Sequence, residues 1–233
     1  MPLYRDDLVL YNGLDLEKGT ESLEGLTPLQ AGAFQTIIEW TRAFLCRSHP
    51  DLGREGPVCP FTLPSLTQHH YWLTTCMGEE VDQEQVADII ERYREWFFEL
   101  EPKAGSQMIL KTILVIFPEL THEKARIQIE LLHKRLKPDF VRRSVMLGQF
   151  YQGCPETGLW NDHFYPLESP LPLLVIRNMV PSDFPFLHGR RGNGEMLIAY
   201  LNRFGTNIPP EVKRLMVEAL ESSELTLKGR NSK

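Results

Sequence analysis

The chain has 233 residues, of which 42% are hydrophobic and 24% are charged, and these proportions are typical of a folded globular protein rather than a disordered one. Its formal net charge is −6, and a protein that binds nucleic acid needs a basic surface, so the charge balance argues against a nucleic-acid partner. The longest apolar run, residues 113–117, is far shorter than the roughly 20 residues that span a bilayer. The first ten residues also lack the apolar core of a signal peptide. We therefore expect a cytoplasmic protein with no membrane partner.

The length predicts one domain over residues 27–227, with an extended, weakly structured arm over 1–26 and a frayed tail over 228–233. Thr27, Pro28 and Gln30 form a helix start with a capping box. From that point the hydrophobic periodicity predicts helices and strands in the following order: a helix over 27–48, a strand over 71–76, a helix from 82 to Pro102, a strand over 108–117, a helix over 121–136 that ends at Pro138, strands over 144–151 and 171–177, a short helical turn near 182–187, and helices over 195–204 and 209–220.

This order predicts an α+β fold, with a mixed sheet of about four to five strands, helices packed on it and a C-terminal helical segment. A long connection over 152–170 separates the last two strands. It exceeds the usual length of a structureless connection, and such loops often act as lids or binding segments. The alternative is a loop that folds over the core and buries its aromatic side chains.

The sequence has four cysteines and no Cys-x-x-Cys pair, so we expect free thiols rather than a zinc site or disulfides. Cys59 stands out because Pro60 and Phe61 follow it. A proline suits the first position of a helical turn, which predicts Cys59 as the cap residue, where free N–H groups stabilise a thiolate. A thiolate binds soft metals, including haem iron, or attacks electrophiles. The alternative is a buried thiol beside a turn, and Cys154, which also precedes a proline, competes for the functional role.

Two histidines are candidates for proton transfer. His70 follows His69 at the junction with the first predicted core strand, and His163 lies in the long loop. A dyad of Cys59 with either His70 or His163 stays open, because such partners meet in space rather than in sequence. The alternative for His70 is a solvated or capping side chain.

Arg177 closes an otherwise apolar strand, and its planar fork suits a carboxylate or a haem propionate. The alternative is an internal ion pair with Asp183 or Glu168. The glycine-rich stretch at 189–194 follows no strand directly, so it does not predict a dinucleotide site.

Several separated motifs together resemble a bacterial family of unassigned function whose members often occur near natural-product biosynthesis genes. They are Gly-Arg-x-Gly-x-Val-Cys-Pro-Phe at 53–61, Phe-Pro-Glu-Leu at 117–120, Leu-Lys-Pro-Asp-Phe-Val at 136–141, Met-Leu-Gly-Gln-Phe-Tyr at 146–151, and the segment 169–187. That family is more distantly similar to the YqcI/YcgG-type proteins, some of which are haem-dependent enzymes that oxidise amino-acid amines.

The resemblance implies haem b in a pocket with Cys59 as its iron ligand and with Phe61, Arg177, Arg142 and Arg143 around the cofactor. We accordingly expect a haem-dependent oxygenase that acts on a small amine-bearing metabolite, with His70 or His163 handling protons. We also consider a homodimer. Two other hypotheses stay open: a non-catalytic accessory protein whose contact patch is the loop 152–170, and a cofactor-free transferase with Cys59 as nucleophile.

Overall fold

A computed structural model describes residues 2–19, 25–188, 191–205 and 207–219. Within these ranges the chain forms one mixed sheet of six strands in the order β1-β2-β3-β4-β6-β5. The strands are β1 (Leu3–Arg5), β2 (Leu8–Asn12), β3 (Tyr71–Thr75), β4 (Thr112–Ile116), β5 (Val145–Phe150) and β6 (Leu173–Asn178). Only β3 and β4 pair in parallel, and β5 forms one edge of the sheet.

Helices cover both faces of the sheet. They are α1 (Gly13–Glu17), α2 (Pro28–Trp40), α3 (Thr62–Thr67), α4 (Gln83–Glu99), α5 (His122–Arg142), α6 (Gly194–Phe204) and α7, which covers residues 210–219. One buried cluster joins α4 and α5 to one face, and a second joins α2 and α3 to the other. A third cluster packs α6 and α7 against the end of α5. The α+β class, the mixed sheet and the C-terminal helical segment are thus confirmed.

The sheet has more strands than predicted because the N-terminal segment contributes two of them. Leu8 and Leu10 of β2 are buried, and β2 pairs antiparallel with β3. The sequence predicted a weakly structured arm here, because the apolar alternation in this segment is short and the residues that follow it, Asn12-Gly13, are typical of a turn. The predicted frayed tail over 228–233 lies outside the described residues.

The predicted start of α2 is confirmed, because Thr27 and Gln30 form the capping box. The predicted end of α5 at Pro138 is wrong, since the helix continues to Arg142. A proline inside a helix removes one backbone hydrogen bond. Phe140 and Val141, both fully buried, follow it, and their burial offsets that loss.

Among the described residues, no helix is both long and apolar enough to cross a bilayer.

Candidate functional site

A cavity of about 590 Å³ lies beside the edge strand β5 and reaches both faces of the sheet. This volume falls in the range of small-molecule sites. Gly148 stands in the middle of β5, on the α2/α3 face. A Cβ there would meet its nearest atoms, in Phe150 and Val175, at 3.5 and 3.8 Å, which are ordinary van der Waals contacts, so a methyl group fits at this position. A glycine inside a strand marks a place where a ligand can approach the backbone closely.

On the α2/α3 face the cavity wall is mainly apolar and aromatic. Its members are Trp40, Leu45, Cys59, Phe61, Tyr71, Leu114, Phe150 and Val175. Cys59 is half-buried, and its backbone N–H donates to the carbonyl of Leu45 at 2.9 Å, which fixes the loop that carries the thiol. Cys59 is therefore a fixed residue in the wall of a ligand-sized space.

The predicted helix cap at Cys59 is wrong. Helix α3 begins at Thr62 with Phe61 as its N-cap residue, so Pro60 lies in the preceding turn. The carbonyl of Cys59 accepts from the Thr62 N–H at 3.4 Å, but its side chain caps nothing. The charged group near Cys59 is instead Arg177, which lines the same cavity.

Arg177 forms the internal ion pair that the sequence offered as an alternative. Its two terminal nitrogens donate to the two carboxylate oxygens of Asp183 at 2.8 and 2.6 Å. Asp183 is 2% exposed and also accepts from the Val180 N–H at 2.8 Å. The Arg177 side chain remains 30% exposed and contacts the cavity, so its remaining N–H donors can still meet an anionic group there.

On the other face of the sheet, α5 contributes polar side chains that the sequence analysis did not single out. The Nε2 atom of His133 lies 2.9 Å from the carbonyl oxygen of Leu147, so this nitrogen carries the proton and Nδ1 is an acceptor. Burial lowers the pKa of His133 to about 4. Lys137 donates to the carbonyls of Phe186 and Arg191 at 2.9 and 2.7 Å, and burial lowers its pKa to about 8.

The neutral state of His133 predicts a pH dependence of stability. Between pH 6.5 and about 4 the unfolded chain binds a proton that the folded chain does not, so the free energy of unfolding falls as the pH drops through this window. The pKa shift corresponds to about 3 kcal/mol. Urea unfolding of wild type and His133→Gln at pH 7 and pH 4.5 should show the smaller acid loss in the variant. Equal acid losses in both proteins would contradict the assignment.

Two buried polar atoms at the cavity have no hydrogen-bond partner among the described residues. They are Oγ of Ser65 and Oε1 of Gln149, in residues that are 2% and 6% exposed. A buried polar group without a partner costs about 1–3 kcal/mol, so such groups call for an explanation. Both line the cavity, where a ligand can supply the missing partners.

The other predicted site residues lie elsewhere, and none of them lines the cavity. The carbonyl of His70 accepts from the Thr112 N–H at the start of β4, and burial lowers the pKa of its imidazole. His163 is exposed in the long loop, where its backbone N–H donates to Asn161. Cys154 is buried in the core on the α5 face, and burial raises the pKa of its thiol.

Arg142 and Arg143 form ion pairs at the C-terminal end of α5 instead of facing the cavity. Arg142 contacts Asp139 at 2.8 Å, and Arg143 pairs with Glu95 of α4. Of the predicted cluster, the structure thus brings together only Cys59, Phe61 and Arg177. No group of three or more His, Cys, Asp or Glu side chains that could hold a metal ion occurs in the part of the chain that the structure describes.

The long loop buries only part of its aromatic surface, so the predicted alternative in which it folds over the core holds in part. Phe164 is buried against Phe44 and His49, and the Asn161 amide donates to the carbonyl of Asp51 at 2.9 Å. Trp160 is 56% exposed. The loop is therefore anchored to residues 44–51 while part of its aromatic surface faces outward.

A family model for a domain of unknown function, DUF6875, matches residues 34–215. The match covers most of the chain and includes the whole cavity wall, so the chain belongs to this family. Neither a curated protein nor a solved structure matches the sequence.

Proposed function

We propose that the protein is a haem-dependent oxygenase that acts on a small metabolite, with Cys59 as the iron ligand. The observation that carries the proposal is the position of Cys59 in the wall of a cavity of about 590 Å³. A cysteine thiolate is an established haem ligand, and its electron donation favours cleavage of the dioxygen bond. When bound, haem would supply the oxidising chemistry.

The residues on the α2/α3 face fit this group in their chemistry. Trp40, Phe61 and Phe150 form an aromatic wall against which a flat apolar ring can pack. Arg177 lies on the same side of the sheet, and its N–H donors that are not bound to Asp183 suit a propionate. The chain's own part in the reaction is to hold the ring by the Cys59 sulfur, to neutralise a propionate at Arg177 and to exclude water with this wall.

The absorption spectrum of protein purified from haem-supplemented cells tests the proposal. We expect a Soret band, and on reduction under carbon monoxide the shift that marks a thiolate ligand. A colourless protein that takes up no haem on titration would overturn the proposal.

Substitution of Gly148 tests whether haem occupies this cavity. Because a Cβ at Gly148 makes only ordinary van der Waals contacts and Gly148 lines the cavity, Gly148→Leu should fold but place a bulky side chain in the cavity, and we expect haem affinity to fall at least about tenfold. Gly148→Ala adds one methyl group and is the matched control, with affinity close to wild type. Haem titration followed by absorbance gives the affinities. Tight haem binding by the Leu variant would place the cofactor elsewhere.

A further inference from the structure

The cavity runs along the outer edge of β5 as a groove between α5 and the long loop. Leu147 and Gln149 of β5 line it, with His133 and Lys134 on the α5 side and Leu167 on the loop side. Because β6 pairs with the other edge of β5, the backbone groups on this edge have no strand partner within the described ranges.

Two hydrogen bonds show which residues of β5 turn their backbone groups into the groove. The carbonyl of Leu147 meets His133, and the N–H of Tyr151 donates to the carbonyl of Leu167 at 3.2 Å. In an antiparallel strand the residues that face outward alternate, so Gln149 also directs its N–H and C=O outward. His133 and Leu167 therefore bond to outward backbone groups of Leu147 and Tyr151. Between these two residues, Gln149 leaves a gap in which one residue of an added strand can pair.

Gln149 has no partner in this gap among the described residues. Its side-chain Oε1 is buried and unpartnered, and its residue is 6% exposed. We propose that the substrate carries an amino-acid-like unit with a neutral secondary amide on each side, which pairs with Gln149 as one residue of an added β-strand would. The N–H of the first amide donates to the Gln149 carbonyl, and the C=O of the second amide accepts from the Gln149 N–H. Oε1 is then available to a second N–H of the ligand.

The charges around the groove favour a neutral group over an ammonium or a carboxylate. The ammonium of Lys137 is already held by two carbonyl oxygens, and Arg191 pairs with Glu156 at 2.8 Å. Glu130 and Lys134 also line the cavity, but both are exposed, so solvent screens their charges. A buried ligand charge would need an unpaired opposite charge, whereas the free groups of Gln149 are neutral. This inference rests on the proposed function, in which the substrate lies in this cavity beside the haem.

Calorimetric titration with two small probes tests the pairing. The first is N-acetyl-L-phenylalanine N-methylamide, and the second is its depsipeptide analogue, in which an ester oxygen replaces the acetamide N–H. We expect the analogue to bind at least about tenfold more weakly, because it leaves the Gln149 carbonyl without a donor. Amide hydrogen exchange at Gln149 should slow when the first probe binds.

Two substitutions at the same position separate the contribution of the Gln149 backbone to ligand binding from that of its side chain. Gln149→Val removes the side-chain amide but keeps the backbone N–H, whereas Gln149→Pro removes both. A proline is tolerated on an edge strand where the N–H points away from the sheet. We expect the Pro variant to bind the amide probe about tenfold more weakly than the Val variant. If the Pro variant does not fold, the comparison of the two probes on wild type decides alone.

Equal affinities for the amide and the ester, or unchanged exchange at Gln149 with saturating amide probe, would overturn the inference. The titrations use the protein as purified, with any cofactor that it carries. A missing haem spectrum would overturn the proposed function and leave the difference between the two probes intact. Equal probe affinities would overturn the inference and leave the spectrum intact.

Discussion

Cys59→Ser should lose the thiolate signature that the proposed haem ligation predicts for the ferrous carbon monoxide spectrum, while it keeps the fold. A serine hydroxyl fits the same space but is a poor ligand for iron and cannot donate electron density as a thiolate does. The fold should persist, because the bond between the Cys59 N–H and Leu45 belongs to the backbone. Absorbance of the reduced, carbon monoxide-bound protein, together with circular dichroism, measures both effects.

Cys46 provides the matched control for this substitution. It is half-buried like Cys59, but it does not line the cavity, and burial raises the pKa of its thiol. Cys46→Ser should keep the wild-type spectrum. A Cys59→Ser protein with an unchanged thiolate spectrum would show that another residue binds the iron, and it would remove Cys59 from the account.

Asp183→Ala should lower the free energy of unfolding by about 3 kcal/mol, at the lower end of the cost of breaking a buried ion pair. The substitution removes the acceptor of two Arg177 hydrogen bonds and of the Val180 N–H. In the part of the chain that the structure describes, the guanidinium then keeps only the carbonyl of Asn178 as an acceptor. Because Arg177 is 30% exposed, water partly replaces the lost carboxylate. Urea unfolding at pH 7 gives the value.

The pair of Glu84 and Arg135 is the control, since it has the same two-pronged geometry with both N–O distances at 2.7 Å. Its side chains are 82% and 44% exposed. Glu84→Ala should therefore leave the free energy of unfolding close to the wild-type value, as is usual for surface ion pairs, which solvent screens. If the two substitutions cost the same, burial of Asp183 does not determine the strength of its pair.

The sequence predicted those parts of the fold that local signals determine. The capping box at Thr27 and Gln30 starts α2, and the unbroken apolar run of β4 indicated a strand that is buried on both faces. The pairing of β2 with β3 was missed because it joins residues about 60 positions apart and has no local signature. At Pro138 the local rule failed because buried side chains beyond it keep the helix intact.

The candidate site was predicted only in part, for the same reason. Arg177 and Asp183 are six residues apart, and the ion pair between them was among the alternatives that the sequence left open. His133 was missed because it lies beside the apolar stripe of α5 and only the packing of that helix on β5 brings it to the cavity. A cavity forms between elements that are distant in sequence, so periodicity alone does not reveal it.

The most direct test of the central claim is the X-ray absorption fine structure at the iron edge of the haem-loaded protein. The account predicts one sulfur ligand to iron in wild type and none in Cys59→Ser. Iron that is bound only by nitrogen and oxygen in the wild-type protein would contradict it.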